Sequence, residues 1–405
     1  KTYSHLRLGT LNMRGHGSDA PNHAGNKWSH VRHLMRQKHI GILALQETHL
    51  DHDRLERLNT VYKNKLTIIN SPNPDRPNAH GVGIVINREI LPADGVKSWE
   101  LIPGRAIMSA VPWHNQNIIH VLAVYAPNDP VENAAFWTEI QDALEDNHLH
   151  KPDILLGDCN IVDDKIDRYP RHTDHADATA SLHHLCDEME LQDGWRNSHP
   201  EHIAYSYYQR ATGSRSRIDR IYITTDLFAT ATDWQIGGSG GVETDHLLVT
   251  VNVNSPAMPY IGPGRWPMPL NLLKDAEITQ YLHNRGRALE RDITTSKLNR
   301  TADVNPQTLY HTFKNELIRT LRKRARIAIP KTEAKIRNLQ AQLDLLQGPL
   351  DETAPREQNE TQMLTAALLQ HRIQELELER ALRAETAAAA RYQIEGETIS
   401  KYWSQ

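Results

Sequence analysis

The sequence predicts a large mixed α/β domain followed by a smaller helical region. In the first 254 residues, short runs rich in Val, Ile and Tyr occur between amphipathic stretches, and Asn, Gly, Pro or Asp ends most of these runs. The order is neither a strict strand and helix alternation nor a series of hairpins, which favours mixed sheets covered by helices. A Pro- and Gly-rich stretch at 255–272 then predicts a linker to the helical remainder.

The strand predictions rest on apolar runs that turn residues interrupt. They are LRLGTLNM (6–13), GILALQE (41–47), LTIIN (66–70), GVGIVIN (81–87), NIIHVLAVYA (117–126), DILLGD (153–158), IAYSYY (203–208), RIDRIYIT (217–224) and HLLVTVNV (246–253). Amphipathic spacing predicts helices near 26–39, 131–148 and 175–191. The domain is therefore expected to span 1–254.

The remainder divides into a basic helical segment, 273–330, and a helical hairpin or antiparallel coiled coil, 331–405. One stretch, 319–337, gathers eight cations against the single acid Glu333: Arg319, Arg322, Lys323, Arg324, Arg326, Lys331, Lys335 and Arg337. A solvated helix face and a nucleic-acid contact are both open for this stretch. Apolar side chains at 3-4 spacing from Ile336 to Leu346, followed by Gly348 and Pro349, predict a helix and then the turn of the hairpin.

Composition limits the cellular setting. The formal net charge of −4 and a pI near 6.7 give no overall basic field, so any nucleic-acid contact must rest on local patches. Two cysteines, Cys159 and Cys186, argue against a disulfide scaffold, and no apolar run is long enough to cross a bilayer. We expect a nuclear or cytoplasmic location without secretion or membrane insertion. Because the chain begins at Lys1, we also expect a piece of a longer protein.

Polar side chains recur where the predicted strands meet loops. Taken singly, each fits a structural role, such as a turn residue, a helix cap or a core ring with a satisfied hydroxyl. Strand ends converge in sheets, however, and these residue types suit hard-metal binding and acid–base chemistry. The set comprises Asn12, Glu47, Tyr125, Asn128, Asp158, Asn160, Asp219, Asp245 and His246.

Six ordered motifs carry a family resemblance. LNMRG, LQETHL, VYAPND, LLGDCN, SRIDRIYI and TDHLLV together resemble the endonuclease/exonuclease/phosphatase superfamily, which contains abasic-site endonucleases and DNase I. The resemblance implies a four-layer sandwich, with two mixed sheets face to face, helices outside and the active site at one edge. The stretch at 193–223, DGWRNSHPEHIAYSYYQRATGSRSRIDRIYI, is similar to the endonuclease domain of fungal LINE-type non-LTR retrotransposons.

The resemblance also implies roles. Glu47 would be the first ligand of Mg²⁺, with Mn²⁺ as the alternative ion, and Asp245 would assist it. Asp158 would orient or deprotonate the attacking water, while Asn160 and Asn12 would hold the phosphate, the metal or Asp158 itself. His246, paired with Asp219, would contact the phosphate, and Tyr125 would reach the phosphate or the leaving oxygen. Cleavage would leave a 3′-hydroxyl and a 5′-phosphate, which suits priming by a reverse transcriptase domain of the full-length protein.

Double-stranded DNA is the predicted substrate. The substrate-binding candidates are Arg14, Asn128, Arg215, Ser216 and Arg217, with Arg76 and Arg210 as further cations near loops. The hairpin around RATGSRS is either a probe of the DNA groove or a plain polar turn. Arg14 stands where abasic-site endonucleases carry an acid, which makes abasic-site repair a poorer fit and a one-metal site a better one.

Two other function classes stay open. One is a phosphatase or phosphodiesterase acting on RNA, inositol phosphates or lipids. The Cys-Asp-Arg motif of inositol phosphatases is absent from SRSRIDRIYI, which argues against that substrate. The other is an inactive DNA-binding remnant. The presence of every expected catalytic residue type argues against this alternative.

Overall fold

Two six-stranded sheets and three pairs of helices account for most of the described residues. A computed structural model describes residues 2–20, 23, 25–76, 78–113, 117–209, 212–254, 260–261, 268, 272–273, 275–298, 300–328, 330–346, 361–362, 365–366, 368–373 and 375–380. The strands are β1 (Thr2–Tyr3), β2 (Leu6–Asn12), β3 (Ile40–Gln46), β4 (Leu66–Ser71), β5 (Val82–Asn87), β6 (Lys97–Ile102), β7 (Ala106–Pro112), β8 (Ile118–Tyr125), β9 (Ile154–Asp158), β10 (Arg168–Tyr169), β11 (Leu191–Asp193), β12 (Tyr207–Tyr208), β13 (Arg215–Ser216), β14 (Asp219–Thr224), β15 (Thr232–Gly237), β16 (Leu248–Val253) and β17 (Tyr260–Ile261). The helices are α1 (Lys27–Gln37), α2 (His52–Val61), α3 (Pro130–Asp146), α4 (Ala176–Glu188), α5 (Gly194–Ser198), α6 (Thr225–Phe228), α7 (Ala276–Ser296), α8 (Pro306–Ala328) and α9 (Pro330–Leu346).

Both large sheets are mixed, and each contains one parallel pair. The first has the strand order β15-β16-β2-β3-β5-β4, in which only β2 and β3 are parallel. The second has the order β11-β14-β9-β8-β7-β6, in which only β8 and β9 are parallel. In each sheet the parallel pair is central, so its strand ends lie within the sheet and not at its margin.

The sheets pack face to face and helices cover their outer faces. Leu8 and Ile42 of the first sheet share a buried core with Val121 and Leu156 of the second. Outside the first sheet, α1 contributes Val31 and Leu34 to a second core, and α2 contacts β4. Outside the second sheet, α3 and α4 form a third core. The four-layer sandwich predicted from the family resemblance is therefore confirmed.

The predicted elements match the structure where their patterns are strongest. The helices predicted near 26–39, 131–148 and 175–191 correspond to α1, α3 and α4. Of the strand predicted at 203–208, only Tyr207–Tyr208 is a strand. Three regular strands, β6, β7 and β15, were not predicted, and neither was α2, which buries none of its residues fully. β6 and β15 lie at sheet margins and carry several exposed polar residues, so they lack the apolar run that marks an inner strand.

The chain forms two compact units. The first comprises Lys1–Gly262 and Gln342–Ala381, and the second comprises Pro263–Ala341 and Leu382–Gln405. In the second unit α7 packs on α8 around Leu272, Ile278, Leu321 and Ala325. The domain boundaries at 254, 272 and 330 stay predictions.

The hairpin predicted for 331–405 is not confirmed. Its first helix corresponds to α9, whereas the predicted turn at Gly348 and Pro349 lies outside the described residues, as does most of the 255–272 linker. Among the described helices, none is both long and apolar enough to cross a membrane.

Candidate active site

Three predicted site residues lie side by side on neighbouring strands of the second sheet. Tyr125 at the end of β8 is in register with Asp158 at the end of β9, and Asp158 is in register with Asp219 at the start of β14. Because β8 and β9 are parallel, both strands deliver their last residue to the same edge. Asp158 and Asp219 are buried with 1% and 0% of their surface exposed, so their carboxyl groups need polar partners.

Gly157 allows this close strand packing. A Cβ atom at this position would lie 1.9 Å from the carbonyl oxygen of Val124 on β8. Only glycine therefore lets β9 approach β8 closely enough to place Asp158 beside Tyr125.

Asn12 connects the two sheets. It ends β2 of the first sheet, and its side-chain Nδ2 donates to Asp158 Oδ2 of the second sheet at 3.0 Å and to Glu47 Oε1 at 2.9 Å. Its Oδ1 accepts from the backbone N–H of Arg14 at 3.0 Å, and Thr244 Oγ1 donates to its carbonyl oxygen at 2.8 Å. Asn12 thus holds both acids at fixed positions while being fully buried itself.

Glu47 follows β3 in a left-handed backbone conformation, with φ of +49°. Such a conformation is unfavourable for a residue with a side chain, by about 1 kcal/mol or more, so the surrounding structure must hold it in place. The backbone N–H of Gly15 donates to the Glu47 carbonyl at 2.7 Å, which stabilises the turn. The Glu47 side chain keeps 26% of its surface exposed, so one of the two acids bound by Asn12 faces solvent.

Tyr125 donates a hydrogen bond to Glu47. Burial first, and then the carboxylates of Glu47 and Asp158, raise the pKa of Tyr125 well above its usual range. The phenol therefore stays neutral and keeps its proton for donation. The Arg105 guanidinium lies 4.8 Å from the centre of the Tyr125 ring, which adds a cation–π contact.

Asp219 and His246 form a buried pair. His246 Nδ1 lies 2.9 Å and 3.1 Å from the two carboxylate oxygens of Asp219. Burial alone would lower the pKa of His246, but the Asp219 carboxylate raises it to about 9. The imidazole is therefore protonated at neutral pH, and Nδ1–H donates to Asp219. Nε2–H then points toward Asp158, whose Oδ2 is 4.0 Å away.

Hydrogen bonds hold both carboxylate oxygens of Asp158. Its Oδ1 accepts from the backbone N–H of Asn160 at 3.1 Å, and its Oδ2 accepts from Asn12. Asn160 adopts φ of +54°, and its own Nδ2 donates to the Ala126 carbonyl at 2.8 Å. Burial, followed by the nearby Asp219 carboxylate, raises the pKa of Asp158 above its usual range.

The remaining predicted residues lie at different distances from this centre. Asp245 is paired with Arg14, whose Nη1 is 3.2 Å from Asp245 Oδ2, and the Arg14 side chain is 63% exposed. Asn128 is exposed just after β8. Ser216 is buried, and Arg215 is buried with its guanidinium 5.7 Å from the centre of the Tyr208 ring. These two residues belong to β13, which pairs with β12 and forms the predicted hairpin; Arg210 lies outside the described residues.

Arg217 lies in a structural ion cluster and not at a substrate surface. It is 1% exposed, and its guanidinium donates to Asp167 at 2.6 Å and 2.8 Å and to Asp193 at 2.7 Å. Arg220 lies in the same cluster and binds Asp163. The Arg217 side chain is buried and its Nε and Nη2 bind acids, so the structure gives it a stabilising role instead of the predicted substrate contact.

Four further residues beside the site carry no clear sequence signal. The Tyr207 ring lies against His246 at a tilt of 40°, with 4.7 Å between ring centres, and the His80 ring centre lies 6.0 Å from that of Tyr125. The Lys27 amine donates to the carbonyls of Met13 and Arg14, at 2.7 Å and 2.8 Å. Arg105 comes from a turn between β6 and β7. Each is placed by tertiary packing, so neither spacing nor motif marks it in the sequence.

Two groups of side chains at the site are candidates to hold a metal ion. The side-chain oxygens of Asp158 and Asp219 and the imidazole of His246 approach one another within 4.8 Å, which makes this group a candidate metal site. The imidazole is engaged with Asp219 through Nδ1, however, and a protonated imidazole donates hydrogen bonds instead of binding cations. Glu47 offers a partly exposed carboxylate, the ligand type that Mg²⁺ prefers when it keeps several waters.

At the edge of the two facing sheets, the site brings together buried acids, amides and a protonated imidazole. These groups are suited to bind and hydrolyse an anionic phosphate ester, so fold and site together define the class as a hydrolase. The sequence profile of the Endonuclease/Exonuclease/phosphatase family matches residues 9–246. The chain belongs to this family. It is accordingly an enzyme, a metal-dependent phosphodiesterase by class.

One curated protein and several solved structures are similar to this chain. The "Transposon TX1 uncharacterized 149 kDa protein" of Xenopus laevis is 28% identical over 286 residues, which cover 68% of this chain and 20% of that protein. The chain thus spans about a fifth of the length of this relative. The AP endonuclease LMAP from Leishmania major superposes with a TM-score of 0.51 at 16% identity, covering 62% of this chain and 88% of that one. The endonuclease domain of TRAS1, a telomere-specific non-LTR retrotransposon, has a TM-score of 0.45 at 16% identity and covers 62% of this chain and 98% of that domain.

Proposed function

We propose that this chain is a Mg²⁺-dependent DNA endonuclease that nicks duplex DNA and leaves a 3′-hydroxyl and a 5′-phosphate. The observation that carries the proposal is the unbroken series of contacts from Glu47 through Asn12, Asp158 and His246 to Asp219. It combines a partly exposed acid, two buried acids and a buried cation within one edge of the sandwich.

The residues divide the hydrolysis into separate tasks. Asp158, held by Asn12 and by the Asn160 N–H, orients the attacking water and accepts its proton. His246 Nε2–H donates to a non-bridging oxygen of the phosphate, and Asp219 keeps the imidazole protonated and correctly oriented. Tyr125, neutral because of its raised pKa, donates a hydrogen bond to the phosphate or to the leaving oxygen.

Glu47 would hold the metal ion, and Asp245 would assist. A bound Mg²⁺ supplies neutralisation of the phosphate charge and stabilisation of the leaving alkoxide. Asn12 keeps the Glu47 carboxylate in place through Nδ2, and 26% of the Glu47 side chain stays exposed. Arg14 stands where abasic-site endonucleases carry an acid, which favours a single metal ion over two.

DNA is the proposed substrate because of the proteins to which this chain is similar. One relative by sequence is a transposon protein, and a structural relative is named as an AP endonuclease. A nick with a free 3′-hydroxyl would serve a reverse transcriptase of the full-length protein as a primer. Exposed Arg14 beside Asp245 is suited to contact the DNA backbone.

The decisive experiment is conversion of supercoiled plasmid to open circles. The native chain is assayed with Mg²⁺, with Mn²⁺ and with EDTA, and Asp158→Ala and His246→Ala variants are assayed alongside with Asp226→Ala, an exposed acid on α6, as the matched control. We expect nicking with either metal ion, no nicking with EDTA, and loss in the first two variants only. End-labelling of the nick then tests for a 3′-hydroxyl and a 5′-phosphate.

Nicking that survives both active-site substitutions would refute the proposed site. No nicking of any DNA, together with hydrolysis of RNA or of a phosphorylated small molecule by the same residues, would reassign the chain to the phosphatase or RNA-directed class. Binding without any hydrolysis would favour the inactive remnant.

A further inference from the structure

The second half of α8 separates apolar and cationic side chains onto opposite faces. Leu317, Leu321 and Ala325 follow four-residue spacing and pack in the core shared with α7. Four cations follow i, i+3, i+4 and i+7 spacing, which places them together on one helix face. They are Arg319, Arg322, Lys323 and Arg326, and all four are exposed. At about 100° per residue this face points away from the α7 contact, and we call it the α8 basic face.

A fifth cation on the same helix has a different role. Arg324 contacts Asp275 at 2.7 Å and Glu277 at 3.1 Å, at the N-terminal end of α7. It therefore stabilises the helix pair and is not a member of the α8 basic face. From Leu317 to Ala328 the sequence contains no Asp or Glu. The α8 basic face is thus a run of cations without acids in its own half of the helix.

Charge is unevenly distributed along the chain. Residues 275–328 contain 11 Lys or Arg against 6 Asp or Glu, a net charge of +5, whereas the whole chain carries −4. The rest of the chain therefore carries −9. A cationic surface within an acidic chain suits a polyanionic partner, because the acidic remainder would repel such a partner.

The chemistry of the face indicates contact with phosphates and not with bases. Its members are three Arg and one Lys, without an aromatic residue for stacking or an amide for base reading. We propose that the α8 basic face binds the phosphate backbone of duplex DNA and supplies affinity from outside the catalytic site. The choice of DNA among polyanions rests on the proposed function.

The test measures DNA affinity against salt. A fluorescent duplex is titrated with the full chain in EDTA, so that hydrolysis does not interfere, at several salt concentrations. Each phosphate contact contributes about 0.9 to the slope of log K against log salt, so substituting all four cations by Gln should make the slope less negative by roughly 3 to 4. Substituting the three Arg by Lys keeps the charge and should leave the slope near that of the native chain.

A matched variant controls for loss of charge alone. Arg36, Arg57, Lys63 and Lys97 are exposed cations of the first unit, and their substitution by Gln removes the same charge. Two single substitutions on α8 give a second comparison. Arg326→Gln should make the slope less negative by about 0.9, whereas Arg324→Gln should leave the slope unchanged. Thermal unfolding verifies that each variant is folded.

An unchanged slope in the α8 variant, or an equal change in the matched variant, would overturn the inference. Tighter binding of duplex RNA than of duplex DNA through the same face would overturn the choice of DNA. Asp158→Ala separates the two proposals, because it should abolish nicking and leave the salt slope unchanged. If the four Gln substitutions change the salt slope but the native chain nicks no DNA, the proposed function is refuted and the inference about the α8 basic face is not.

Discussion

Asp219 acts on the substrate only through His246. Both carboxylate oxygens lie within hydrogen-bonding distance of Nδ1, and the carboxylate charge is what raises the pKa of His246 to about 9. Asp219 is therefore a positioning residue whose negative charge keeps a cation buried at the site.

We predict that Asp219→Asn lowers the nicking rate by roughly 10²- to 10⁴-fold, since the amide keeps the shape of the carboxylate and removes the charge that holds the imidazole protonated. Single-turnover nicking measures the effect, with Asp226→Asn as the control because Asp226 is exposed on α6. Activity within threefold of the native chain would mean that His246 does not depend on its partner.

At the scale of elements, the placement of Asp158 depends on how closely two strands approach. Gly157→Ala would bring a Cβ atom within 1.9 Å of the Val124 carbonyl, so β8 and β9 must separate and Asp158 must move from Tyr125. We predict a loss of at least tenfold in nicking, because small displacements of a catalytic group are costly.

Gly237→Ala is the matched control for this prediction, since a Cβ atom there has no neighbour within 4 Å among the described residues. Nicking rates and thermal unfolding are measured for both variants. Equal activity in the two variants would show that the spacing of β8 and β9 is not limiting.

The ion cluster around Asp167 supports the strand that carries Asp219. Arg217→Ala leaves the buried Asp167 carboxylate without its main partner, and we expect the free energy of unfolding to fall by about 3–5 kcal/mol. Urea unfolding measures this change, and Arg57→Ala at an exposed position should have almost no effect. A change below about 1 kcal/mol in Arg217→Ala would argue that water replaces the lost contacts.

The same cluster predicts a pH dependence of stability. Burial alone would raise the pKa of Asp167, but hydrogen bonds from Arg217 hold it below its usual value. The stabilisation is therefore complete above the pKa of an unfolded Asp, about 4, and is lost as the pH falls through the lower folded-state pKa. Urea unfolding between pH 7 and pH 3 should show the start of this loss in the native chain and a weaker pH dependence in Asp167→Asn.

At the scale of the whole molecule, residues near the C-terminus complete the catalytic unit. Ala366, Ile373 and Leu376 are buried, and so is Glu377, which lies against Gly238 and accepts a hydrogen bond from the backbone N–H of Gly240. Gly238 and Gly240 belong to the loop that leads to His246. The segment 361–380 therefore packs on the unit that contains the site, although it follows the second unit in sequence.

We predict that a chain ending at residue 360 unfolds at a temperature lower by roughly 5 °C or more, because each buried apolar side chain contributes about 1.5–3 kcal/mol. Thermal unfolding of chains 1–360 and 1–381 against the full chain measures the effect, and the 1–381 chain, which keeps the segment, is the control. An unchanged unfolding temperature for 1–360 would show that the segment adds no stability.

The sequence by itself determined the family, the central strands and the residues at their ends. Strand ends carry this information because an apolar run that stops at Asn12 or Asp158 places a costly polar group beside a core, and such groups must find partners. The sequence could not separate Arg217 from a substrate contact, since an arginine next to Asp219 has the same chemistry whether it faces DNA or a buried acid. Only the tertiary structure decided that, because burial and partners depend on residues such as Asp167 that are distant in the chain. The same reason explains Tyr207 and Arg105, which packing alone brings to His246 and Tyr125.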